Sequence, residues 1–154
     1  PAIYGGCWAG NISGTAKTKI TGNTTLDSVA SEVFGGNDYA GWVANTDLTI
    51  VQGKYGTVFG GGNGNYDYQS ELSLSSGEMY DTIPGSGNIT FTIWDPSADS
   101  ISYTRFRGNV YGGGKMAIVG DSTLRREDAI NASTIAKYGQ IVMHIHGGTY
   151  ENHI

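Results

Sequence analysis

The chain has 154 residues, the size of one domain, so we expect a single domain over residues 1–154. Its formal net charge of −5 is thinly spread, which argues against nucleic acid as a partner, and no apolar run suggests membrane insertion. Glycine is about twice as common as usual and charged residues make up only 15%, so short strands joined by glycine turns are favoured over helices.

One motif recurs four times along the chain: an aliphatic residue, an aromatic ring and two glycines. In chain order, the copies are Ile3–Gly6, Val33–Gly36, Val58–Gly61 and Val110–Gly113. Their first residues are 30, 25 and 52 positions apart. We interpret the last spacing as two steps, with a degenerate copy at Leu72–Ile83, and predict a repeat of about 25 residues.

Alternating apolar residues between these copies, at 89–93 and 141–145, predict half-buried strands. A period near 25 residues suits one coil of a parallel β-helix, whereas a propeller blade needs about 40. The sequence therefore predicts an all-β, single-domain parallel β-helix (β-solenoid) with coils of about 25 residues. Unrelated hairpin turns in a sandwich are the alternative. Residues 124–138 break the pattern and are predicted to form an irregular or helical excursion.

The paired glycines are expected to form a corner that bends in the same way in every coil. Successive coils lie about 4.8 Å apart, and glycine permits the close backbone approach and positive φ angles that such a corner needs. The aliphatic residue and the ring before the glycines are expected to stack on their equivalents above and below as an internal ladder.

Two stretches carry a resemblance to known proteins: VFGGGNG at residues 58–64 and VYGGG at residues 110–114, with GKYG-like or GGTY-like turns before the motif. They resemble the glycine-rich coils of large bacterial cell-surface and secreted β-solenoid proteins. The resemblance covers most of the chain except about 114–140. It implies an extracellular or cell-surface location and a structural role, as an adhesin, stalk or fibre, and it implies no catalytic residue.

The two ends of the sequence contain complementary parts of one motif. Residues 146–154 match the run before a glycine corner, as in Gln52–Val58, and the corner itself opens the chain. Neither end of the sequence has a run of polar residues that would cap a solenoid. The chain is therefore expected to be an excised window of a longer repeat protein or a unit that stacks head to tail into a filament. The predicted assembly interface consists of Pro1, Ala2, Ile3, Tyr4, His153 and Ile154.

The sequence offers weak candidates for metal binding. His144 and His146 project from one face if they lie on a strand, a workable spacing for a shared transition metal, but two solvated histidines explain them as well. If these side chains lie near an end-to-end contact, their protonation is expected to loosen assembly. The loops 35–38 and 61–67 contain oxygen ligands suited to calcium, although Asn-Gly turn chemistry is favoured. No cofactor is expected.

Exposed aromatic rings near predicted turns suggest carbohydrate binding, because flat rings stack on sugar faces. The candidates are Trp8, Tyr39, Trp42, Tyr66, Tyr68 and Trp94. Capping of the solenoid surface is the alternative role for these rings. Catalysis is not expected, because the acidic residues are scattered and no nucleophile has a partner in the sequence pattern. The candidate functions are therefore a structural rod, a glycan-binding adhesin segment, and a degenerate carbohydrate-active β-helix.

Overall fold

The computed structural model describes residues 1–21, 30–64, 84–94, 104–120 and 139–154, and all regular structure in these ranges is β. The ten strands are β1 (Ala2–Tyr4), β2 (Ile12–Thr21), β3 (Ala30–Phe34), β4 (Trp42–Phe59), β5 (Gly85–Trp94), β6 (Thr104–Phe106), β7 (Val110–Tyr111), β8 (Ile118–Val119), β9 (Ile141–His146) and β10 (Thr149–Tyr150). The predicted excursion at 124–138 and the degenerate copy at Leu72–Ile83 lie outside the described residues.

The strands form one parallel sheet with two branches that share β4. In the long-strand branch, Trp42–Ile50 of β4 lies between β2 and β5, and β5 continues to β8 and β9. In the short-strand branch, Gly53–Phe59 of β4 pairs with β3, β6 and β7, and the branch ends at β1 and β10. All strand pairs between these elements are parallel, as predicted.

The four copies of the motif lie one above another. Ile3 pairs with Val33, Val33 with Val58, and Val58 with Val110, so the prediction that the copies stack in register is confirmed. We call each level a rung and the equivalent residues of successive rungs a column. The column continues to Ile154, because Thr149 pairs with Arg105 and the amide of Val110 donates to the carbonyl of His153 (2.9 Å).

The predicted spacing of about 25 residues between copies of the motif is not constant. Because Val58 pairs directly with Val110, the spacing of 52 positions is one step, and its interpretation as two steps was wrong. Only the paired strands must keep the same register between rungs, whereas the chain between two strands can gain residues at a small entropic cost. The sequence spacing therefore varies while the pairing register is kept.

The core is built from columns of apolar residues that face the interior from both branches. Val33, Val58 and Val110 line one side, and Ile89, Phe91 and Ile93 of β5 line another, each at most 1% exposed. The alternation predicted for β5 is thus confirmed. The rings of Tyr55, Phe106 and Tyr150 are stacked in the same interior, 5.8 and 5.1 Å apart.

The rings of the recurring motif form a second column, on the opposite face of the short-strand branch. Tyr4, Phe34, Phe59 and Tyr111 stack with centroids 5.1, 5.0 and 4.9 Å apart. Successive residues of a strand face opposite sides, so the valines enter the core cluster and the neighbouring rings do not. The predicted ladder is therefore confirmed for the aliphatic residues. The rings also stack on their equivalents, with Phe34 and Phe59 buried, but they form a separate column beside the core cluster.

The glycine corners allow the backbones of adjacent rungs to approach closely. The amides of Gly5 and Gly35 donate to the carbonyls of Phe34 and Phe59, at 2.8 and 3.0 Å. A Cβ atom on Gly35 would lie 3.0 Å from the carbonyl carbon of Gly60 and nearer still to its oxygen. Positive φ angles occur after the corner, as at Gly10 and Gly41, and not at the paired glycines. Close approach, rather than φ, requires glycine at Gly35.

Candidate functional site

The two end rungs carry strand edges that have no partner within the described part of the chain. At one end, β1 pairs only with β3 and β2 only with β4. At the other end, β9 pairs only with β5. Such an edge presents a row of backbone donors and acceptors, which is a template for a further strand.

Exposed apolar side chains concentrate at the last rung. Eight large apolar residues of the described ranges are exposed, and five of them lie on or beside this rung: Tyr111 43%, Ile141 47%, Val142 40%, Ile145 41% and Ile154 62%. One rung inward, Ile89 and Ile93 occupy the columns of Ile141 and Ile145 and are at most 1% exposed. The core-facing residues of β9 are thus uncovered along the edge of this strand that no described residue pairs with, and they form an open cross-section of the core.

The strand predicted at 141–145 forms as β9, but the expected burial of its apolar residues was wrong. Met143 is half-buried and packs against the core, whereas Ile141 and Ile145 are exposed. The physical reason is that β9 is covered by β5 on one side, while nothing in the described residues pairs with its other edge. An edge strand and a covered strand have the same alternation, so the sequence pattern alone does not separate them.

The first rung bears positive charge on its outer face. Residues 1–21 contain Lys17 and Lys19 and no acidic residue. Lys17 lies 3.8 Å from the carboxylate of Asp47 in the next rung. Lys19 belongs to the column that continues through Thr49 and Thr92 and ends at His144. The first and last rungs therefore hold the two ends of the same columns.

The residues of the predicted assembly interface lie in two separate groups, at opposite ends of the short-strand branch. Pro1 accepts hydrogen bonds from the amide and hydroxyl of Ser31, at 2.9 and 3.0 Å, and Ile3 packs against the core. Ile154 is 62% exposed and belongs to the same column as Ile3. The two isoleucines are thus equivalent positions on different rungs.

The predicted histidine pair is brought together on the exposed face of β9. The rings of His144 and His146 are nearly parallel, at 10°, with centroids 6.2 Å apart. Trp94 lies beside His146 at 5.4 Å. Across the five described ranges, no three His, Cys, Asp or Glu side chains are grouped so that they could hold a metal ion.

The calcium-like loop at 35–38 uses its side-chain oxygens within the chain. The buried amide of Asn37 accepts from the Cys7 amide (2.9 Å) and donates to the carbonyls of Gly10 (2.8 Å) and Ala40 (2.9 Å). Asp38 accepts from Asn63 at 2.8 Å. The second predicted loop, 61–67, is described only to residue 64.

Tyr4 is the first ring of the column Tyr4–Phe34–Phe59–Tyr111, and it lies beside this loop. Burial raises the pKa of the Tyr4 hydroxyl, and its hydrogen bond to Asp38 and the charge of that carboxylate raise the pKa further. The hydroxyl therefore stays protonated and available as a donor to Asp38.

The predicted sugar-binding rings do not form one platform. Trp8 is 69% exposed and stacks on Tyr39, with centroids 5.5 Å apart. Trp42 instead packs against the backbone of Gly85, where a Cβ would lie 2.6 Å from its ring, and Trp94 lies at the far end of the same sheet branch. Tyr66 and Tyr68 lie outside the described residues. The Trp8–Tyr39 pair is the one exposed stack among the candidates in the described ranges.

No protein-family model, curated protein or solved structure matches the chain. In the described residues there is no helix long and apolar enough to cross a membrane.

Proposed function

We propose that the chain is a β-solenoid unit of an extracellular structural protein, and that copies stack head to tail into a rod or filament. The observation that carries the proposal is the concentration of exposed apolar side chains on the last rung, at Tyr111, Ile141, Val142, Ile145 and Ile154. The resemblance of the glycine motifs to cell-surface and secreted solenoids supports the location.

The partner best matched to the last rung is a second copy of the same chain. The first rung carries the same motif, in the same columns, as every rung that already covers another, so its backbone and glycine corner fit the last rung as rungs fit each other inside the chain. Adding a rung pairs the free edge of β9 and covers its apolar residues, at about 25 cal/mol per Å² of apolar surface removed from water.

An unbroken stack places one constraint on the junction. Because Ile3 and Ile154 belong to one column, residues 1–3 of the incoming copy and 152–154 of the preceding copy occupy the same place. Ile3 packs against the core, whereas Ile154 is 62% exposed and the amide of His153 is held by a 3.3 Å bond to Asn109. We therefore propose that residues 152–154 leave their place when copies join.

Electron microscopy of the purified chain tests this proposal. The long-strand branch has four rungs, β2, β4, β5 and β9, so each copy is expected to add about 19 Å to the filament, at about 4.8 Å per rung. A variant that ends at Glu151 is expected to assemble at a lower concentration than the full chain. Monodisperse monomers in light scattering at micromolar concentration, for both chains, would contradict the proposal.

A second candidate is glycan binding by the Trp8–Tyr39 stack. It is favoured by the 69% exposure of Trp8 and by the parallel arrangement of the two rings. Flat aromatic faces bind the apolar faces of sugar rings. A glycan array with the wild type and with Trp8→Ala tests it, and Trp94→Ala is the matched control because Trp94 is exposed elsewhere. Equal signals from all three proteins would rule out this role for Trp8.

A further inference from the structure

We infer that copies join in one defined register, in which β2 of the incoming copy lies on β9 of the preceding copy and Lys19 lies over His144. This inference rests on the proposed function and specifies its contact. Within the chain, Lys19 pairs with Thr49, Thr49 with Thr92, and Thr92 with His144. An incoming β2 that repeats this step brings Lys19 next to His144, about 4.8 Å away.

The side chains that face the core favour the same register. In β2 these residues are Ala16, Thr18 and Ile20, and their columns end at Ile141, Met143 and Ile145. A shift of one residue turns every side chain to the other face and would direct Lys19 into the core. The apolar match therefore excludes a shift of one residue. Stacking of the glycine motifs in register, as within the chain, excludes a shift of two, and the lysine contact follows from both.

The Lys19–His144 contact makes assembly sensitive to pH. A neutral imidazole accepts a hydrogen bond from an ammonium group, whereas a protonated imidazole repels it. The groups that face His144 are Val142 and His146 on its own strand, Thr92 and Trp94 on β5, and Lys17 and Lys19 on the incoming β2. No carboxylate of the described residues is among them, so protonation places like charges together at the junction.

The direction of this effect opposes the effect of overall charge. When all three histidines carry a proton, the formal net charge changes from −5 to −2, which lowers the general repulsion between copies. General repulsion alone therefore predicts more assembly in acid, whereas the local contact predicts less. We expect the concentration needed for assembly to rise about two- to five-fold between about pH 8 and about pH 5.

Disulfide trapping tests the register in a Cys7→Ser background. Lys19→Cys and His144→Cys chains are mixed and oxidised, and a covalent dimer of the two is expected because a Cα separation of about 4.8 Å permits a disulfide. Thr92→Cys is the matched control: it lies in the same column one rung inward, about 9.6 Å from an incoming Lys19→Cys, beyond disulfide reach. Filaments that form without the Lys19→Cys/His144→Cys dimer would overturn the register and leave the proposed function standing. Absence of any assembly would overturn both.

Sedimentation at about pH 8 and about pH 5 tests the charge effect. His144→Gln is expected to abolish the rise in the concentration needed for assembly, because glutamine stays neutral. Thr49→Gln is the matched control: it introduces the same side chain in the same column, two rungs from His144, and it is expected to keep the rise. Equal pH dependence of the wild type and His144→Gln would refute the role of His144.

Discussion

Replacing Gly35 with alanine tests whether the glycine corner depends on close approach between rungs. A Cβ at this position would lie 3.0 Å from the carbonyl carbon of Gly60 and 3.3 Å from the Cβ of Leu48, and nearer still to the Gly60 oxygen. Backbone and core atoms cannot rotate away, so the two rungs must separate locally. The separation weakens the 3.0 Å bond from the Gly35 amide to the Phe59 carbonyl.

The expected loss in the free energy of unfolding is about 3 kcal/mol. Overpacking of a well-packed site costs roughly 1–3 kcal/mol, and a weakened backbone hydrogen bond adds about 1 kcal/mol. For a chain of this size, a loss of about 3 kcal/mol lowers the melting temperature by roughly 6–12 °C. Urea unfolding followed by circular dichroism measures the free energy directly.

Gly14→Ala provides the matched control for this measurement. Gly14 lies in β2, and a Cβ added there meets nothing within 4 Å. The change is expected to alter the stability by less than about 1 kcal/mol, and in the stabilising direction, because alanine restricts the unfolded chain. Equal unfolding midpoints for the Gly35→Ala and Gly14→Ala proteins would refute the close-approach argument.

Two further predictions concern groups inside the stack. Asn37→Ala removes the hydrogen bonds of a buried amide to the Cys7 amide and thiol and to the carbonyls of Gly10 and Ala40, and it is expected to cost about 3 kcal/mol in urea unfolding; a loss below about 1 kcal/mol would contradict this. Burial raises the pKa of Tyr55 to about 12, from 10.0, so its contribution to stability is complete below about pH 10 and is lost as pH rises through about 12. Tyr55→Phe should weaken the fall in stability in this window, measured by urea unfolding against pH, and an unchanged fall would contradict the assignment.

The register of the rungs was predictable because the motif is local and must recur wherever the backbones stack. Val33, Val58 and Val110 each precede a ring and two glycines, and this set of residues identifies the corner without any knowledge of the connections. The number of residues per rung was not predictable in the same way. Connections between paired strands carry no register constraint, so a spacing of 52 fits one step as well as two.

The candidate site was predicted in part. The sequence indicated that His144 and His146 share a face, which the nearly parallel rings confirm. It did not indicate that Ile141 and Ile145 are exposed, because exposure depends on whether another strand covers β9. It also placed Trp42 among the exposed rings, whereas Trp42 packs on Gly85, a contact between rungs that no local pattern encodes.

The two candidate functions make opposite demands on Trp8. The amides of Asp38, Asn63 and Lys115 donate to Cys7, Asn37 and Gly62, so Trp8 belongs to the column that ends at Lys115. In an unbroken stack, Trp8 of the incoming copy therefore lies over Lys115 of the preceding copy, whose ammonium group is paired with Glu32 (2.8 Å) inside its own chain.

Assembly is thus expected to remove from solvent a ring that is 69% exposed in the single chain, whereas glycan binding needs that ring free. Quenching of tryptophan fluorescence by acrylamide separates the two demands. We expect quenching of the wild type to fall on assembly and quenching of Trp8→Phe to change less, since its remaining tryptophans, Trp42 and Trp94, lie outside this column. If Trp8 stays equally accessible in assembled material, the copies do not stack in the columns of the chain.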